Sequence, residues 1–233
     1  MADSNINDRI LYEDNHIIIV NKNAGEIIQT DKTCDETLGD VLKQYIKARD
    51  NKPGNVFIGV VHRIDRPVSG AVVFAKTSKA LARLNNMFRE GNIHKIYYAI
   101  VKNKPQIEEA TLVNNLFRNK EMNKSFVREK PSINTKQAKL HYALADKSDT
   151  YFLVKIELMT GRHHQIRCQL AAIGCPIKGD LKYGYPRSNA NGGISLHARR
   201  IEFIHPVSNN KIEISAPFPE NDFWNRFATV QQQ

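Results

Sequence analysis

Long apolar runs are missing from this sequence, and so is any cysteine framework. No stretch approaches the ~20 consecutive apolar residues that a membrane-spanning helix requires. The three cysteines, Cys34, Cys168 and Cys175, form neither a CxxC pair nor a paired spacing, which argues against a disulfide scaffold. Cys168 and Cys175 sit in apolar surroundings and read as small buried residues in a reducing cytoplasm. The opening segment, Met1 to Asn15, carries three aspartates and a glutamate, a composition foreign to signal and transit peptides. Repeats, low-complexity tracts and a recognisable linker are also lacking, so a single domain over residues 1–233 is expected. Acidic residues are scarce relative to basic ones: 24 Asp and Glu stand against 34 Lys and Arg, a net charge of +10, with a pI near 9.5. Such an excess speeds encounter with polyanions.

What is present is ordinary globular material, 41% hydrophobic and 25% charged. His16 to Lys22 (HIIIVNK) predicts a strand. Leu38, Val41, Leu42, Tyr45 and Ile46 recur at helical spacing and predict a helix to about Arg49. Phe57 to Val61 and Ala71 to Lys76 are short strand candidates with an irregular charged loop between them. Ser78 is placed to cap a helix ending near Glu90, with Gly91 as its stop. His94 to Val101 has strand composition. Lys102 to Lys136 is polar and yields no assignable element. Alternation at Leu140, Tyr142 and Leu144, then at Phe152, Val154, Ile156 and Leu158, predicts an antiparallel hairpin. Ile166, Leu170 and Ile173 mark a helix stopped by Gly174. Leu196 to Pro217 reads as a hairpin around Ser208-Asn209-Asn210, followed by a short helix holding Phe223, Trp224 and Phe227. Hairpins mixed with helices define an α+β fold with a largely antiparallel sheet.

Two clusters carry chemistry. In HRIDRPVSG (His62 to Gly70), Asp65 lies between Arg63 and Arg66, and neighbouring cations favour an ionised carboxylate. That combination suits a site handling a phosphate backbone and an electrophilic carbon. In TGRHHQIR (Thr160 to Arg167), two arginines and two histidines crowd a predicted helix start. Positive charge there opposes the helix dipole unless an anion compensates. Arg162 and Arg167 are five residues apart and diverge toward different partners. His163 and His164, being adjacent, are expected to point apart, which argues against a metal site. Tyr97 and Tyr98, neighbours on one strand, face opposite sides, which lets one pack in the core and the other line a cleft; from the residues alone, packing suits either of them.

Taken in order, these segments resemble the RluA-type pseudouridine synthases, whose pattern they follow as HRIDRPVSG, KIYYA (Lys95 to Ala99), TGRHHQIR, GDLKYG (Gly179 to Gly184) and LHA (Leu196 to Ala198). The resemblance runs from about Ile10 to Pro217. It implies a bifurcated, mostly antiparallel sheet flanked by helices and loops. It further implies isomerisation of uridines in transfer or ribosomal RNA without cofactor or metal. Under it, Asp65 acts on the uridine as its glycosidic bond breaks. Tyr97 stacks on the uracil, Arg167 pairs with Asp65, and Arg63 enters the RNA stack in place of the flipped uridine. Leu196 supplies apolar wall, and His62, Arg66, Arg162, His164 and Gln165 join the substrate-binding set. Asp180 is read as capping a turn. Asn23 stands where many relatives have proline, and no N-terminal S4-like module is expected before the first motif. A monomer without obligate protein partner or membrane attachment is the expectation.

Overall fold

The computed structural model describes residues 5–30 and 35–227; Cys34 and the first residues of the polar opening segment lie outside them. In chain order the elements are β1 (Ile10–Glu13), β2 (Ile17–Lys22), α1 (Leu38–Arg49), β3 (Gly59–Val60), β4 (Ser69–Ala75) and α2 (Ser78–Glu90). Then come β5 (His94–Val101), β6 (Glu109–Asn119), β7 (Lys124–Arg128), β8 (Thr135–Lys147), β9 (Phe152–Leu158), α3 (Gln165–Ala172), β10 (Leu196–Ile204), β11 (Lys211–Ser215) and α4 (Asp222–Asn225). Contacts divide the chain into two compact units, residues 1–93 with 198–217, and residues 94–197 with 218–233.

In the first unit the strands run in the order β1-β2-β4-β10, with β3 on β4 and β11 on β10. The ladders of β1/β2, β2/β4 and β10/β11 are antiparallel. Ile17, Ile18, Ile19 and Val20 are all fully buried, so β2 reads as a continuous β-branched run because both its faces are covered. Ile17 and Ile19 join Val73 of β4, Leu84 of α2 and Phe203 of β10 in one apolar cluster. Helix α2 is capped one residue earlier than expected. Thr77, with extended backbone, is the cap and accepts from the Ala80 N–H, while Ser78 is already helical. Gly91 ends the helix in the left-handed region, as expected.

The second unit is a five-stranded antiparallel sheet, β5-β9-β8-β6-β7. The predicted β8–β9 hairpin is present, and β8 extends back to Thr135. β6 and β7 form a second hairpin inside the stretch whose sequence yields no assignable element. Leu116 of β6 and Val127 of β7 pack with Cys168 and Ala171 of α3. Tyr98 belongs to an aromatic cluster with Phe218, Trp224 and Phe227; Phe218 stacks on Trp224 with centroids 4.9 Å apart. Asn221 caps α4 by accepting from the Phe223 and Trp224 N–H groups.

Candidate active site

The loop between β3 and β4 carries Asp65 in the first unit. The Val68 N–H donates to the Asp65 carbonyl at 2.9 Å and closes a turn. Asp65 is half-buried, Ile64 before it is buried, and Arg63 and Arg66 on either side are exposed. Their side chains reach outward: Arg66 pairs with Asp35 at 2.8 Å, and Arg63 donates to Gln29 Oε1 at 3.4 Å. His62 supports the base of the loop. Its Nε2 accepts from the Val73 N–H at 3.0 Å, and its ring stacks on Phe88 at 4.7 Å.

At the far end of the loop, Gly70 takes φ +118°, and a Cβ there would lie 2.3 Å from the Ala198 carbonyl oxygen. That close approach to β10 explains the glycine that closes the HRIDRPVSG motif. Beneath the loop lies a residue that no sequence motif singles out. Lys22 is fully buried, and its Nζ donates to the carbonyls of Asn23 at 2.8 Å and Arg66 at 3.0 Å. Burial pulls its pKa down to about 7, against the opposing pull of the Glu26 and Asp65 carboxylates. A lysine at a strand end ordinarily reads as a solvated side chain, so only the fold discloses this one.

In the second unit, Tyr97 and Tyr98 face opposite sides of β5, and both are buried. Tyr98 is in the core cluster just described, and Tyr97 stands opposite Ile156 of β9. Lys95 on the same strand is held below the usual lysine range by burial. Leu196, at the start of β10, is buried.

The TGRHHQIR segment differs from its sequence reading in two respects. Its first five residues form a loop, and α3 begins at Gln165. His164, the residue before the helix, has φ +50° and gives no side-chain cap. This left-handed step folds the chain so that the rings of His163 and His164 stack, 3.8 Å between centroids and 22° between planes, instead of pointing apart. Gln165 clasps the loop: its Oε1 accepts from Thr160 Oγ1 and from the Arg162 N–H, and its Nε2 donates to the Lys139 carbonyl. Arg162 Nε donates to the Gln137 carbonyl, whereas Arg167 is engaged elsewhere, as the five-residue spacing implied.

Arg167 forms a buried two-pronged ion pair with Asp180, Nε to Oδ2 at 2.7 Å and Nη2 to Oδ1 at 2.9 Å. Asp180 is therefore no turn cap; the short 3-10 turn after it, Leu181–Tyr183, receives no side-chain bond from it. The charge that Arg167 brings to the start of α3 is met from within the protein by Asp180. Tyr183 ties the pair to the histidines: the Arg167 guanidinium lies 5.1 Å from its ring centroid. Its hydroxyl accepts from the Ser125 N–H at 2.8 Å and lies 3.1 Å from His164 Nδ1. Burial, with Arg167 close by, pushes the His164 pKa down to about 2. A neutral imidazole carries one ring N–H, so the tautomer of His164 sets the direction of its bond with the Tyr183 hydroxyl. Among the described residues, no group of three or more His, Cys, Asp or Glu side chains is placed to hold a metal ion, and no helix is long and apolar enough to cross a membrane.

Residues 16–172 match the family described as RNA pseudouridylate synthase. The ribosomal large subunit pseudouridine synthase C of Vibrio cholerae is 36% identical over 214 residues, covering 89% of this chain and 65% of the relative. The protein of the same name from Vibrio vulnificus is 35% identical over 227 residues, covering 92% and 67%. The chain thus spans about two thirds of the length of these relatives, slightly less in the first case. The solved structure of human RNA pseudouridylate synthase domain containing 4 superposes with a TM-score of 0.79 at 20% identity, covering 97% of this chain and 94% of that one. It shares the fold. The matched segment takes in the Asp65 loop, the Tyr97 strand and the start of α3, and on that basis the chain belongs to the RluA-type RNA pseudouridine synthase family.

Proposed function

We propose that this chain isomerises uridine to pseudouridine in RNA, with large-subunit ribosomal RNA as the first substrate to test and transfer RNA as the second. The observation that carries the reading is the family match across residues 16–172, which includes a half-buried carboxylate, Asp65, on a loop braced from below by Lys22 and His62. In the reaction the bond from uracil N1 to ribose C1′ breaks, uracil turns, and C5 bonds to C1′. The C5 proton leaves to solvent and N1 is protonated. A carboxylate serves the sugar centre either by bonding to C1′ or by removing the C2′ proton; Asp65 is assigned that role.

Tyr97 is assigned to stacking on the uracil, Leu196 to the apolar wall, and exposed Arg63 to filling the RNA stack after the base leaves it. Arg167 is assigned a positioning role, rooted by Asp180. His62, His164 and Gln165 are assigned to the frame, because their polar atoms serve internal bonds. Arg66 and Arg162 are assigned to the RNA backbone. A cytoplasmic setting and a monomeric enzyme complete the reading.

Tritium release tests it. Large-subunit ribosomal RNA and transfer RNA transcripts labelled at uracil C5 are incubated with the wild type and with Asp65→Asn. Release by the wild type alone is expected, since forming the carbon–carbon bond must expel that hydrogen. Turnover by Asp65→Asn would remove Asp65 from the central role. No release by the wild type from either RNA, or from unmodified cellular RNA, would overturn the assignment of activity.

A further inference from the structure

The outer face of the β6–β7 hairpin carries features that neither the fold nor the uridine chemistry requires. Phe117 and Phe126 stand directly opposite each other in the ladder. Their neighbours Leu116 and Val127 pack toward α3, so the two rings belong to the opposite face, away from Arg167. The Arg128 guanidinium lies 5.5 Å from the Phe117 centroid and 5.8 Å from that of Phe126. Lys124 Nζ lies 5.4 Å from the Phe126 centroid. Beside the rings an open cleft of about 600 Å³ is lined by Phe117, Arg128, Lys130 and three short polar side chains, with Val127 and the Glu129 carboxylate also in its wall. From Arg118 to Lys139 the sequence holds seven basic residues and two acidic ones, so this short stretch carries half of the chain's net charge.

A cross-strand aromatic pair under a cation stabilises a hairpin, and that accounts for the rings. It does not account for a cleft beside them, or for the concentration of positive charge around it. Aromatic faces, a planar guanidinium, nearby ammonium groups and short polar side chains are together what an unpaired base and its phosphate require. A duplex is too broad for a cleft of this size, and an acidic protein surface would have no use for stacking planes.

We propose that this cleft is a second nucleotide site, which takes an unpaired base of the RNA substrate other than the target uridine and so contributes to choosing the target. Phe117 and Arg128 supply the stacking surface, and Lys130 meets the phosphate. The proposal rests on the reading of the chain as an RNA-modifying enzyme, but its test separates the two. Binding of a short single-stranded RNA of mixed sequence is measured by fluorescence anisotropy, and KM and kcat are measured on the ribosomal RNA transcript. The proteins are wild type, Phe117→Leu, Phe117→Trp, Arg128→Ala and, as control, Lys79→Ala on α2.

Phe117→Leu and Arg128→Ala are expected to weaken binding and raise KM about tenfold each, the loss typical of removing one stacking partner. Their kcat at saturating RNA should stay within about twofold of wild type. Phe117→Trp keeps a stacking plane and should bind at least as well as wild type, a rescue that a purely structural role does not predict. Binding by Phe117→Leu and Arg128→Ala equal to that of Lys79→Ala, with unchanged KM, would overturn the second site while leaving the isomerase intact. A wild type that binds RNA through this cleft yet releases no tritium would instead sink the catalytic reading alone.

Discussion

Arg167 and Asp180 meet through two hydrogen bonds of 2.7 and 2.9 Å, with only 6% and 1% of their side chains in contact with solvent. A buried ion pair adds little net stability, but removing one member strands the other charge, at about 3–5 kcal/mol. Arg167→Ala and Asp180→Ala are each expected to lower Tm by roughly 10 °C, measured by calorimetry. The double variant Arg167→Met/Asp180→Leu should recover most of that loss. It should nevertheless remain inactive in tritium release. Recovery of both stability and turnover would show that Arg167 has no part in the reaction beyond packing.

A second prediction concerns His164. The imidazole is neutral in the fold, with its pKa pushed down from 6.5 to about 2 by burial. The unfolded chain takes up a proton below pH 6.5 that the folded chain refuses, so stability must fall as pH drops from 6.5 toward 2. Between pH 7.5 and 5 this one group costs about 2 kcal/mol. His164→Asn suits the left-handed backbone, φ +50°, and cannot titrate. Urea unfolding at both pH values should show the wild type losing about that much more than the variant. Equal losses would mean that His164 is protonated in the fold.

Much of the frame around these residues is legible in the sequence, and what is not has physical causes. β2 and α2 announce themselves because Ile17, Ile19 and Leu84 serve one cluster at strand and helix spacing. The β6–β7 hairpin does not, because asparagines and charged side chains interrupt its inward positions around Leu116 and Val127, and its outer face is aromatic and basic. α3 buries Gln165 to Leu170 almost all round, which erases the amphipathic stripe. Within the site, Asp65 and Tyr97 stand in recognisable motifs. Lys22 and Asp180 owe their roles to partners brought near by folding: the Arg66 carbonyl is 44 residues from Lys22, and no local pattern encodes such a bond.

Two glycines of the motifs should behave in opposite ways. A side chain at Gly70 needs both an unfavourable φ of +118° and a displacement of the Ala198 backbone, 2.3 Å from the new Cβ. A backbone neighbour cannot yield as a flexible side chain does, so Gly70→Ala is expected to cost about 3 kcal/mol or more. Gly161 in the TGR segment has open space within 4 Å of where a methyl would stand, and no left-handed φ. Gly161→Ala should therefore fold with a Tm within about a degree or two of wild type. Thermal melts of the pair, run together, decide the matter. A stable Gly70→Ala would show that β4 and β10 do not approach as closely as described.

Lys22 gives the fourth prediction, and its pH dependence runs opposite to the usual lysine. Most paired lysines have raised pKa values and lose their contribution as pH rises. Here burial lowers the pKa from 10.5 to about 7, so between those values the unfolded chain holds a proton that the folded chain has released. Stability must then rise with pH across that window, by up to about 1.4 kcal/mol per pH unit, and be indifferent to this group below pH 7. The neutral amine still has two N–H groups, one for each carbonyl it serves, Asn23 and Arg66. Lys22→Met removes both donors, at about 1–3 kcal/mol for each carbonyl left bare. The Arg66 carbonyl, which also accepts from the Gly25 N–H at 2.8 Å, suffers less. Unfolding by urea at pH 6 and pH 9 should therefore find the wild type well ahead of Lys22→Met at pH 9, with the gap narrowed at pH 6 by the cost of burying an ammonium. An identical gap at both values would mean that Lys22 does not change protonation over this range, and that its buried charge is fully compensated by Glu26 and Asp65.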